Sequence, residues 1–255
     1  MFNTLFNFLT DFISLNMNFF NFHHHNPQIA YGIYNSTPEE KIPEHYFSVG
    51  IHPQNIHEQW ENDLENLKII SQNPKCLAIG ECGLDALVNI EENLEKVKEI
   101  SQQQNCVAIG ECGLDALINI DENLQKKVFE AQIIWANQIQ KPVIIHCVKR
   151  FQELIPFQKI AKVPMIIHGF NKKKAIADEM LKHGFYLSFG KSVLHNLSLQ
   201  TTLKEIPLEK IFLETDDADF DIAELYQKVA EIKEISVEKL QEQISKNLEI
   251  LNIQF

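Results

Sequence analysis

Short apolar runs alternate with longer amphipathic stretches along most of this chain, and that alternation sets the tightest limit on its fold. The runs "NFFNFH" (18–23), "IAYGIY" (29–34) and "YFSVGIH" (46–52) are rich in aromatic and β-branched residues, as strands are. "CLAIGE" (76–81), "CVAIGE" (106–111), "PVIIHC" (142–147), "VPMIIHG" (163–169), "FYLSFG" (185–190) and "KIFLETD" (210–216) continue the series. Helical patterns lie between them. "ENDLENLKIISQ" (61–72) sets Leu64, Leu67 and Ile70 at helical spacing, and "ENLQKKVFEAQIIWANQIQ" (122–140) is the strongest. The C-terminal third is helical, with Ser236 as N-cap of the last helix. Strands that are apolar throughout need cover on both faces, which means a parallel sheet under helices. Two of the nine runs are near-copies; counting them once leaves eight units and an α/β fold, a TIM-like (β/α)8 barrel. Residues 34–46 leave no room for a crossover helix, so the barrel is expected to be distorted, with one thin side.

The copies belong to a tandem duplication: residues 71–100 and 101–130 are identical at 19 of 30 positions. Each ends its apolar run on a glutamate, Glu81 or Glu111. His52 to Glu81 is 29 residues and Glu111 to His146 is 35, one βα unit each. The first copy is therefore in step with the chain before it, and the second with the chain after it. A closed eight-stranded barrel has one fourth place. The second copy runs straight into the helix over 122–140, which favours Glu111. The first copy is then a surplus, extruded at the bottom face and packed as an extra helix, or left as an aggregation-prone strand.

Residues 1–16 read as an N-terminal extension ahead of Met17, and 17–255 as one barrel. The extension has no Lys or Arg before its apolar part and no cleavage site, and it is too short to span a bilayer. A formal charge of −12 argues against the broad basic surface of a nonspecific duplex-DNA coat protein. Five cysteines without a CxxC pattern fit a reducing, cytoplasmic setting.

Ionisable residues gather at strand ends: His23 and His25, His52, Glu81 or Glu111, His146, His168 and Asp216. In a parallel barrel these ends share the face where active sites are built. A folded chain does not gather buried imidazoles and carboxylates there without a cation. His23 and His25, two apart, point to one side of their strand, and His24 to the other. Such a pair suits a borderline metal such as zinc.

The segments "NFHHH", "GIHPQ", "AIGECGLD", "PVIIHC", "IIHGF" and "FLETD", in this order, resemble the TatD family of metal-dependent deoxyribonucleases across residues 17–255. The resemblance implies a TIM-like barrel, two divalent ions (zinc, magnesium or manganese) and phosphodiester hydrolysis of DNA. It implies a first ion on His23, His25 and Asp216, with Glu111 bridging to a second on His146 and His168. Two such ions about 3.5–4 Å apart activate a water and clamp an in-line displacement at phosphorus. Asp216, with a spare oxygen, accepts the proton. Glu214 reads as a support for its neighbours, His52 as a contact to substrate phosphate or a supporting group. Lys172, within "NKKK" (171–174), reads as a guide for the phosphodiester. No membrane and no obligate protein partner is expected.

The chain departs from the family pattern at four places. Asn21 replaces an aspartate, Gln54 a histidine and Val148 an arginine, and no proline comes after Asp216. The metal ligands survive these changes while the substrate-reading groups are thinned; Lys149 and Arg150 could substitute only if their loop bends. Two other readings stay open: the same barrel acting on a small phosphoester or cyclic amide, and a metal-poor, inactive barrel.

Overall fold

All nine apolar runs contribute a strand, and each strand pairs in parallel with the next along the chain. The structure, a computed structural model, describes residues 19–29, 31–50, 60–79, 98, 101 and 106–252. The strands are β1 (Asn21–His24), β2 (Gly32–Ser36), β3 (Phe47–Val49), β4 (Cys76–Ile79) and β5 (Ala108–Asp115), then β6 (Val143–Val148), β7 (Met165–Ile167), β8 (Tyr186–Phe189) and β9 (Ile211–Leu213). They form one sheet in that order.

The sheet curls back on itself just beyond β9. There Asp216 N donates to His23 O at 3.0 Å, and His25 N donates to Asp216 O at 3.4 Å. Asn21, fully buried, pins the seam: its Nδ2 donates to Thr215 Oγ1 at 2.8 Å and its Oδ1 accepts from Thr215 N at 3.0 Å. An amide both donates and accepts, whereas an ionised carboxylate only accepts. Asparagine at position 21 therefore satisfies both partners at the closure.

The helices are α1 (Trp60–Ser71), α2 (Glu122–Ile139), α3 (Phe151–Ile160), α4 (Lys174–Lys182), α5 (Ser192–His195), α6 (Leu197–Glu205), α7 (Ile222–Lys233) and α8 (Val237–Leu248). Their ends are set by local side chains. Asp121 caps α2 by accepting from Leu124 N, and Gln140 ends it in the left-handed conformation with φ 56°. Between those caps Val128, Phe129, Ile133 and Ala136 form the buried stripe. Ser236 caps α8 through Lys239 N, as its sequence position predicts. No helix joins β2 to β3, which makes this the thin side.

The expectation that differs is the fate of the first copy. It is neither extruded nor turned into a helix at its apolar run: β4 sits in the sheet beside β5, with Ala78 opposite Ala108 and Ile79 opposite Ile109. The barrel wall thus has nine strands rather than eight. The cause is energetic. Cys76, Leu77 and Ala78 are buried, and the β4 backbone pairs with both neighbours. Extrusion would expose those side chains and strand those backbone groups. The small entropic cost of a surface loop does not weigh against that. Among the described residues no helix is long and apolar enough to cross a membrane.

Candidate metal centre

The strand ends bring six of the sequence-derived residues to one place. β1 supplies His23, which is buried, with His25 just after it; β5 supplies Glu111, β6 supplies His146, His168 comes directly after β7 and Asp216 three residues after β9. Glu111 stands at the middle. Its Oε1 is 2.9 Å from His23 Nε2, and its Oε2 is 2.9 Å from His168 Nε2 and 3.9 Å from His146 Nδ1. Asp216 Oδ1 lies 3.5 Å from His23 Nε2 and 3.9 Å from His25 Nε2. One glutamate therefore turns its two oxygens toward two different sets of imidazoles. Ligand-type atoms of His23, Glu111 and His168, of His23, His25 and Asp216, and of His168, Glu214 and Asp216 each lie within 4.8 Å of one another.

Within the chain the imidazoles act as counter-charges to the carboxylates. Burial pulls the His23 imidazole down, but the Glu111 carboxylate and then Asp216 outweigh it and lift the group to about 10. His168 is likewise raised well above its ordinary value: burial opposes, Glu111 prevails. Burial would push Glu111 up, yet His168 and His23 hold it well below the usual carboxylate range. Asp216 is lowered in the same way by His23 against its own burial. His24 faces the other way, as the strand alternation predicts. Its Nδ1 lies 3.1 Å from Asn26 O, and burial with the neighbouring His23 charge lowers it to about 3.

Three residues outside the sequence-derived set join the centre. Asp115 Oδ2 is 3.3 Å from His146 Nε2. The carboxylate accepting from that nitrogen leaves His146 Nδ1, 3.2 Å from His168 Nε2, with its lone pair toward Glu111. Its position is readable in principle: Asp115 is four residues past Glu111 on one strand, hence on the same face. Asn35 Nδ2 lies 2.9 Å from His23 Nε2, and Ser48 Oγ donates to Asn35 Oδ1. No local pattern marks Asn35 or Ser48, because β2 and β3 meet β1 only through barrel closure. Asp115→Asn is expected to lower metal affinity roughly 10- to 100-fold with the fold retained, read by metal titration. An unchanged affinity would leave Asp115 a structural residue.

Glu214 is fully buried, accepts from Gly169 N at 2.6 Å and from Ser188 Oγ, and lies 3.7 Å from His168 Nδ1. That fits its reading as a support. The Lys172 ammonium sits 5.7 Å from the centre of the Phe151 ring. Arg150 does not stand in for the missing arginine, because its Nη1 is held by Glu122 at 2.8 Å and Glu153 at 3.0 Å. His52 and Glu81 lie outside the described residues.

The chain matches the model of the family described as TatD related DNase over residues 34–93 and 86–251, two stretches that overlap inside the duplicated segment. It is 31% identical over 213 residues to an uncharacterized metal-dependent hydrolase, YabD, of Bacillus subtilis, across 76% of this chain and 72% of that protein. It is 26% identical over 175 residues to the 3'-5' ssDNA/RNA exonuclease TatD of Edwardsiella piscicida, across 66% of this chain and 56% of that protein. The match thus spans little more than half the length of that curated relative. A crystal structure of the TatD homologue YjjV from Escherichia coli K12 has the same fold, with a TM-score of 0.64 at 17% identity over 93% of this chain and 99% of that one. A TatD family hydrolase from Entamoeba histolytica gives 0.63 at 14% identity over 92% and 98%. With the family model covering most of its length, the chain belongs to the TatD family.

Proposed function

We propose that this chain is a metal-dependent hydrolase that cleaves the phosphodiester backbone of single-stranded nucleic acid. The observation that carries the reading is Glu111, one half-buried carboxylate facing the β1 imidazole of His23 on one oxygen and the imidazoles of His146 and His168 on the other. The relatives named as ssDNA/RNA exonucleases supply the substrate class. The donor set, imidazole nitrogen with carboxylate oxygen, suits zinc or manganese. Ligand-type atoms of His23, Glu111 and His168 lie within 4.8 Å of one another, close enough to share one cation.

His23, His25 and Asp216 would hold one divalent ion, His146 and His168 a second, and Glu111 would bridge them. When bound, the pair lowers the pKa of a water and offsets negative charge on the phosphodiester. Asp216 Oδ1 takes both imidazole contacts, which leaves Oδ2 to accept the proton of the attacking water. Asp115 and Glu214 hold His146 and His168 in orientation, and the Asn21–Thr215 seam fixes the loop that carries Asp216.

The test is bound metal per chain, measured beside turnover of single-stranded oligonucleotides, small phosphodiesters and cyclic amides. Close to two equivalents of zinc or manganese are expected, with oligonucleotides turned over best. A chelator should abolish turnover and lower the melting temperature together. Far less than one equivalent would mark an inert barrel, and faster turnover of a small ester or amide would move the substrate.

A further inference from the structure

Beside Asp216 the loops after β7, β8 and β9 enclose a hollow of about 270 Å³, lined by Asn171, Lys191 and Ser192 as well as by Asp216 itself. A wider groove of about 770 Å³ continues from it past His195 and Asn196 to Leu197. Lys191 and Ser192 line both, so the two are neighbours along one path. Their sizes are those of pockets for small organic ligands, roughly 300–1,000 Å³, and together they exceed one nucleotide unit.

Charge decides what suits the path. The chain carries −12, and Arg150 and Lys174 near this face are already ion-paired. Arg150 is shared by Glu122 and Glu153, Lys174 pairs with Asp178 and Glu205 at 2.9 Å each, and Lys172 sits over Phe151. Lys191 is exposed and has no ion-pair partner among the described residues. Of the residues lining the hollow, Glu214, Asp216 and Asp217 are acidic and Lys191 is the single basic one. A phosphodiester with one phosphate at the metal ligands would find its next counter-charge at Lys191. Beyond it, Ser192, His195 and Asn196 offer hydrogen-bonding groups, and Leu197, 75% exposed, gives a base an apolar face.

We infer that the backbone of a single-stranded nucleic acid runs from the metal centre across Lys191, Ser192 and His195 toward Leu197, with Lys191 contacting the phosphate next to the scissile one. This rests on the nuclease reading above. It gives Lys191, rather than Lys172, the phosphate-guiding role.

The experiment uses the metal-loaded full chain and a single-stranded oligodeoxythymidylate, measuring KM, equilibrium binding and their salt dependence. Lys191→Ala is expected to weaken both roughly tenfold, the loss of a hydrogen bond to a charged group. The slope of log affinity against log salt should fall by about 0.7, one phosphate contact on a single strand. Lys191→Arg should restore most of both. Lys239→Ala, the same charge change on α8 outside both hollows, should move neither. If Lys191→Ala leaves KM and salt slope unchanged while cleavage proceeds, the path is overturned and the nuclease reading stands. If the unsubstituted chain holds its metals yet neither binds nor cleaves the oligonucleotide, both are overturned.

Discussion

Glu111→Gln is expected to lower kcat/KM roughly a thousandfold or more, with bound metal falling below one equivalent per chain. The substitution keeps the shape of the side chain and removes its charge. Glu111 is the group that His23 and His168 share at 2.9 Å each, so an amide there severs both halves of the centre at once. Metal-held charge supplies several kcal/mol of transition-state stabilisation, and each 1.36 kcal/mol is tenfold in rate. Circular dichroism should stay that of the unsubstituted chain, because the backbone of β5 is untouched. Glu81→Gln serves as the internal comparison and should cost little, since Glu111 already provides the carboxylate among the imidazoles. The opposite pattern, with Glu81 essential and Glu111 dispensable, would assign the ligand to the first copy.

Gly113→Ala should destabilise the fold by about 3 kcal/mol or more, a drop of roughly 6–12 °C in melting temperature by calorimetry. Gly113 lies opposite His146 where β5 and β6 pair, and a Cβ at Gly113 would stand 1.9 Å from His146 O. That clash is with the backbone of His146, so no rotamer change relieves it and the strands must part. The pairing it would break runs through Cys112–Ile145, Leu114–Cys147 and Asp115–Val148, between Glu111 and the imidazole of His146. Stability and metal binding should therefore fall together. Gly190→Ala is the contrast: its Cβ would meet Glu214 O at 3.4 Å, and a loss below about 1 kcal/mol is expected. A mild Gly113→Ala would mean the two strands have more play than their register implies.

Much of the barrel is legible in local pattern. Strands that are apolar on both faces, helices with clear caps such as Ser236, and ionisable residues at the strand ends all obey rules that act within a few residues. The convergence of His23, Glu111, His146, His168 and Asp216 comes from parallel topology alone, since every strand end opens on one face. Local pattern cannot supply pairing between distant parts. Asn21 looks like the loss of a carboxylate until Thr215, 194 residues later, is placed beside it. The number of strands escapes for a related reason. "CLAIGE" and "CVAIGE" read alike, and nothing within either says that a sheet will take both. Burial of Cys76 and Cys106 together in one cluster decides the matter. Lys172 stands out in sequence for sitting in a basic run, whereas Lys191, which lines the hollow beside Asp216, stands alone in its segment.

The seam at Asn21 and Thr215 also bears on when the protein becomes competent during synthesis. His23 belongs to the first strand and Asp216 lies just past the last, so the ion they would share has no complete cage until β9 has left the ribosome and found β1. An abandoned nascent chain would carry imidazoles and carboxylates but no working centre. Closure of the centre would thereby wait on pairing between the first and last strands of the sheet.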